Sequence, residues 1–177
     1  MKRTTWFSSD WHLGHRFMAL KRGYQTTKDH DSDIVFSVSQ QVSKGDRLFI
    51  LGDVAFTRDS LFLLNAIDCE KVLVMGNHDT LPPHLYSVVF DHVAGAFQKW
   101  NWMLTHVPIH PQELYRMEAN IHGHIHKSAA TGNLTHPYVN VNWDWWGRAI
   151  KRKEIQEVLK TGGTTYPSQL TSIAPRV

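Results

Sequence analysis

The chain has 177 residues, 42% of them hydrophobic, and a formal net charge of +3, so a globular chain with one domain over residues 1–177 is expected and a disordered or fibrous one is excluded. A single cysteine, Cys69, excludes a disulfide framework and every cysteine-rich metal site, and it suits a reducing cytoplasm. No apolar run reaches the roughly 18 residues that span a bilayer, and the apolar stretch behind Met1-Lys2-Arg3 is too short for a signal peptide.

In chain order, Thr4–Ser8 reads as a strand that ends in Asp10-Trp11-His12. Ile34, Val35, Val38 and Val42 follow at helical spacing behind a cap at Asp31–Asp33, and Gly45 stops that helix. Leu48–Leu51 is a second strand, ending in Gly52-Asp53. Leu61, Leu64 and Ile67 form a helical stripe capped by Asp59-Ser60. The strand Lys71–Met75 runs into Gly76-Asn77-His78-Asp79, and Val88–Val93 is a weaker strand candidate. Trp100–Thr105 ends in His106, and Asn120–Ile121 leads into His122-Gly123-His124-Ile125-His126. Tyr138–Val141 is the last strand. Ile155, Val158 and Leu159 make a final helix closed by Gly162-Gly163, and an irregular tail is expected over 161–177. Strands alternating with helices imply an α/β architecture.

Five of these strands end in Asp, Asn or His. In open α/β sheets ligands bind at the carboxyl ends of strands, so the five ends predict one convergent site. Its inventory is Asp10, His12, Asp53, Asn77, His106, His124 and His126. All are oxygen or nitrogen donors suited to Mn²⁺, Fe, Zn²⁺, Co²⁺ or Ni²⁺, and seven exceed the needs of one tetrahedral ion. Two ions sharing a carboxylate suit the number. Gly52, Gly76 and Gly123 are read as permitting tight strand-to-loop turns.

The motifs Asp10-x-His12, Gly52-Asp53, Gly76-Asn77-His78-Asp79, His106 and Gly123-His124-x-His126 resemble, in order, those of the calcineurin-like metallophosphoesterases. The resemblance spans about residues 4 to 143. It implies two mixed β-sheets packed face to face with helices outside, the metallo-dependent phosphatase fold. It implies that Asp10, His12 and His126 hold one divalent ion, with manganese the first choice, that Asn77, His106 and His124 hold a second, and that Asp53 bridges both. His78 would be the catalytic histidine, assisting the leaving group as metal-bound hydroxide attacks phosphorus. His15 and Arg16 would touch substrate from the cavity rim, and Asp79 and His122 would support the ligands from behind.

The sequence departs from the protein phosphatases of that family. Where they carry an acid that pairs with the catalytic histidine, this chain has Phe56, with Asp59 as a substitute by proximity. The adjacent arginine clamp is also out of register, which leans toward singly charged phosphodiesters. The closely spaced motifs leave little room for a cap or DNA-binding domain. Specificity would come from residues 13–32, 54–60, 80–87, 107–119 and 127–137. A small phosphodiester of the nucleotide or cyclic-nucleotide class is the expected substrate. A phosphomonoesterase or nucleotidase is the alternative. A nuclease-like nucleic-acid-binding protein using Trp143–Lys153, where tryptophans precede a basic run, is another. No membrane partner is expected. His30, His84, His92, His110 and His136 read as surface, loop or structural residues, and Cys69 as an inert small one.

Overall fold

The computed structural model describes residues 3–127 and 137–162. The first sheet holds β1 (Thr5–Ser8), β2 (Arg47–Ile50), β3 (Glu70–Val74) and β4 (His92–Ala94), all parallel, and β9 (Ile150–Lys151). Its order is β4-β3-β2-β1-β9, with β9 antiparallel on the β1 edge. The second sheet holds β5 (Phe97–Lys99), β6 (Trp102–Leu104), β7 (Ala119–His122) and β8 (Tyr138–Asn140) in that order. Only the β5–β6 pair in it is antiparallel. The protein is thus α/β with two mixed sheets.

The strands are apolar on both faces because both faces are covered. Phe49 and Leu51 face the second sheet with Phe7, Val72 and Val74, meeting Trp102, Leu104, Ile121 and Val139 in one core. The Phe7 and Trp102 rings stand 6.2 Å apart across that interface. Leu48 and Ile50, alternating with Phe49 and Leu51, point the other way. They pack with Ile34, Val35 and Val38 of α2 (Thr27–Gln41), Leu61 of α3 (Arg58–Phe62), Leu64, and Val89 of α4 (Pro83–Val89). The short α1 (Arg16–Lys21) and α5 (Trp143–Trp146) flank the site, and α6 (Arg152–Lys160) sends Ile155 and Leu159 into the inter-sheet core.

Several local expectations are corrected. The cap of α2 is Thr26, whose hydroxyl accepts the Asp29 N–H at 3.1 Å, so the helix starts ahead of Asp31. Thr57 rather than Asp59-Ser60 caps α3. Within 88–93, Val88 and Val89 belong to α4, which begins at the Pro82-Pro83 pair, and the strand begins only at His92. Trp100 is not in a strand. Trp100 and Asn101, at φ 55° and 62°, form a two-residue hairpin turn between Lys99 and Trp102. His136 and residues 163–177 lie outside the described residues, and so does that part of the expected tail. Among the described residues no helix is long and apolar enough to cross a membrane.

Candidate metal centre

The five strand ends do meet. The first turn after β1 continues its ladder with the segment after β2, with Asp10 N–H on the Gly52 carbonyl at 2.9 Å and His12 N–H on Asp53 at 3.0 Å. Asp10, His12, Asp53 and His124 all have positive φ, between 53° and 67°. Non-glycine residues in the left-handed region cost about 1–3 kcal/mol each and persist where the surroundings over-determine them. Among the described residues the only other non-glycine examples are the hairpin residues Trp100 and Asn101.

Two clusters result. Ligand atoms of Asp10, His12 and His126 lie within 4.8 Å of one another, as do those of Asp53, His106 and His124. His12 Nε2 and His126 Nε2 are 3.0 Å apart. In the second cluster His106 Nε2 is 3.2 Å from His124 Nδ1 and 3.0 Å from Asn77 Oδ1. Asp53 stands between them, with Oδ2 at 3.7 Å from His12 Nε2 and 3.4 Å from His106 Nε2. All seven predicted ligands are therefore together.

The donor set fits cations. His106 Nδ1 donates to the Leu51 carbonyl at 2.8 Å and His126 Nδ1 to Asp144 at 2.7 Å. With Nδ1 so engaged, Nε2 of each ring is the atom turned toward the cluster, and in the neutral ring it is a lone pair that can serve as a metal ligand. Burial pushes the Asp10 carboxyl up to about 6 and the His12 imidazole down to about 3. Burial would also lower His106, but the Asp53 hydrogen bond and the Asp10 charge overcome it and raise its pKa. Asp53 is held below the ordinary range, because bonding from His106 and the His78 N–H outweighs its burial.

The remaining predicted residues fall around this centre. His78 is exposed, its N–H on Asp53 Oδ1 at 2.9 Å, and its ring 5.8 Å from His12. Its aromatic neighbour is Phe56, at 5.3 Å, while Asp59 lies in the first turn of α3. Asp79 orients backbone: its carboxylate accepts N–H groups from Asp53, Val54 and Gly76 at 2.7–2.9 Å. His122 is buried and donates from Nδ1 to the Gly123 carbonyl at 2.8 Å, and burial lowers it to about 4. His15 caps α1, accepting the Met18 N–H at 3.1 Å, with its ring 5.9 Å from His12. Arg16 is exposed and lines a cavity of about 390 Å³ whose other walls include no ligand candidate.

The glycines act mainly through close approach. Gly76 and Gly123 have no positive φ, but a Cβ on Gly123 would collide with Asp10 Oδ2 and Ser9 Oγ, and one on Gly76 with Asp53. Trp143 and Trp146 are buried, 5% and 4% exposed, so neither presents a stacking face; the Arg152 guanidinium lies 4.4 Å over Trp100 instead. His30, expected at the surface, is fully buried. It belongs to a group that sequence reading missed: Asp144, Arg22, His30 and Asp31, linked side chain to side chain behind His126. Burial would raise the Asp144 carboxyl, yet its bond to His126 and the Arg22 charge hold it well below the usual range. His84, His92 and His110 are exposed.

No family model matches the chain. It is 30% identical over 190 aligned positions to the "Gene 66 protein" of Mycobacterium phage D29, covering 87% of this chain and 94% of that protein. It is 28% identical over 193 positions to the "Gene 66 protein" of Mycobacterium phage L5, covering 88% and 93%. A crystal structure of AQ665, a protein of unknown function from Aquifex aeolicus, superposes with a TM-score of 0.72 at 22% identity, covering 89% of this chain and 100% of that one. That likeness is one of fold.

Proposed function

Because the chain belongs to the family of the Gene 66 protein of Mycobacterium phage D29, a name that states no activity, we propose a function from the site itself: a dinuclear metal-dependent phosphodiesterase of the calcineurin-like type. The observation that carries this reading is the pair of three-residue clusters with Asp53 Oδ2 between them. The two mixed sheets with outer helices support assignment to the metallo-dependent phosphatase fold.

In this reading Asp10, His12 and His126 hold one ion, Asn77, His106 and His124 the other, and Asp53 both. The mixed carboxylate, amide and imidazole donors suit Mn²⁺, Fe, Zn²⁺, Co²⁺ or Ni²⁺, and the family resemblance makes Mn²⁺ the first of these to try. Two such ions supply Lewis acidity, activating water for in-line attack and neutralising phosphate oxygens. His78, tethered by its N–H to Asp53 and exposed beside His12, donates a proton from its ring to the departing oxygen. Phe56 packs beside His78, and the arginine clamp of the family's protein phosphatases is out of register in this sequence, so a single phosphate charge suits the site better than a dianion. The substrate class is a small phosphodiester, a nucleotide or cyclic nucleotide, handled in the cytoplasm.

The test is hydrolysis of bis-(p-nitrophenyl) phosphate with Mn²⁺. Wild type is expected to turn over and Asp53→Asn to lose that activity. A wild type inert with Mn²⁺, Fe²⁺, Co²⁺, Ni²⁺ and Zn²⁺ overturns the reading, and faster cleavage of p-nitrophenyl phosphate makes it a monoesterase.

A further inference from the structure

Arg22 lies at the end of α1 and contributes no ligand atom, yet it uses every N–H it has. Nε donates to Asp144 Oδ1 at 2.8 Å, and Nη2 meets the same carboxylate at 2.7 Å. Nη2 also donates to the Asp10 carbonyl at 2.7 Å, and Nη1 to the Trp11 carbonyl at 2.7 Å and to His30 Nε2 at 2.9 Å. The ion pair is nearly dry, with the Arg22 and Asp144 side chains 9% and 10% exposed.

Two consequences follow for one cluster only. The other Asp144 oxygen accepts Nδ1–H of His126 at 2.7 Å, which fixes that ring's tautomer and turns Nε2 inward. The two carbonyls that Arg22 grips lie between the left-handed residues Asp10 and His12, so the same guanidinium pins the strained turn that presents both remaining ligands. Behind Arg22 the chain of bonds goes on. His30 Nδ1 donates to Asp31 at 2.8 Å, and Asp31 accepts the Gly14 N–H at 2.7 Å and the Ser60 hydroxyl at 2.8 Å. This returns the network to the loop that carries His12. The Arg22 charge is paired with Asp144. In the other cluster, by contrast, Asn77 and His124 are exposed.

Building on the dinuclear reading above, we propose that Arg22 is a positioning residue for the Asp10–His12–His126 cluster, and that its brace makes this the tighter of two unequal ion sites. A lysine keeps the charge but cannot reproduce the planar fork that reaches four partners at once. Removing outer partners of metal-binding histidines costs about 10–100-fold in affinity.

The experiment is Mn²⁺ titration calorimetry on wild type, Arg22→Lys and Asp144→Asn, with circular dichroism to check folding. Wild type is expected to bind two ions of distinct affinity. Arg22→Lys weakens the tighter one about 10–100-fold and leaves the other in place. Asp144→Asn, which frees His126 but keeps the grip on the Asp10 and Trp11 carbonyls, weakens the same ion less. Asp144→Asn carries the test if Arg22→Lys does not fold. Wild-type affinities at both sites in a folded variant, or equal weakening of both, overturn the proposal while the dinuclear reading stands. A wild type that binds fewer than two ions overturns both.

Discussion

The Asp79 carboxylate accepts the backbone N–H of Asp53 at 2.9 Å, so the residue placed between the two clusters is held by an acid that binds no ion itself. The same carboxylate accepts N–H groups of Val54 at 2.8 Å and Gly76 at 2.7 Å, tying the turn after β2 to the turn after β3. Asp79→Ala strands three backbone donors, two of them buried. It is expected to cost on the order of 3 kcal/mol in urea unfolding and to weaken both ions together, unlike the Arg22 variant. Unfolding curves and metal content on one sample check this; unchanged stability contradicts it.

Asp10 sets a pH dependence. Its folded-state carboxyl titrates near 6 against an ordinary 3.8, because of burial. The metal-free folded state therefore binds this proton more tightly than the unfolded chain does. That contribution to stability is full below about pH 4 and lost as pH rises through 6. An ion must displace the proton, and the one that raised His106 also retains. Apparent Mn²⁺ affinity is expected to fall about tenfold or more per pH unit below 6, with measurable proton release. Calorimetry in buffers of different ionisation enthalpy reads that release directly.

Gly123→Ala tests close approach without backbone strain, since Gly123 has no positive φ. The added Cβ meets the Asp10 carboxylate, so loss of the ion held by Asp10, His12 and His126 is expected. Gly95→Ala is the control, because nothing lies within 4 Å of its would-be Cβ. Metal content of the two purified variants decides it, and equal content contradicts the steric account.

His78→Ala is expected to slow the reaction by roughly 10²–10⁴-fold when the leaving group is an alkoxide. The loss is smaller for p-nitrophenolate, which needs little protonation on departure. Rates on an alkyl and a nitrophenyl diester give this ratio. An equal loss on both means that His78 acts on the phosphate rather than the leaving oxygen.

Six strands and the seven ligand candidates were legible because both are written locally: short apolar runs, five of them followed within a few residues by Asp, Asn or His. The short β5 (Phe97–Lys99) and β9 (Ile150–Lys151) were not. The brace was not. Arg22 and Asp144 are 122 positions apart, and neither sits in a motif that marks it. His30 and Asp31 are the polar residues on a buried helix face that also carries Ile34, Val35 and Val38, and the partners of His30, Arg22 and Asp31, explain its burial. The Trp100–Asn101 turn hid inside a run of strand-forming residues, since tryptophan at φ 55° has no local signature. The Pro82-Pro83 start of α4 was a signal that could have been read.

Dinuclearity with Asp53 as the shared carboxylate is tested most directly by electron paramagnetic resonance of the Mn²⁺-loaded protein. A spin-coupled pair at two ions per chain is the expected result, with the coupling lost in Asp53→Asn. A single uncoupled Mn²⁺ signal at saturating metal in the wild type would contradict it.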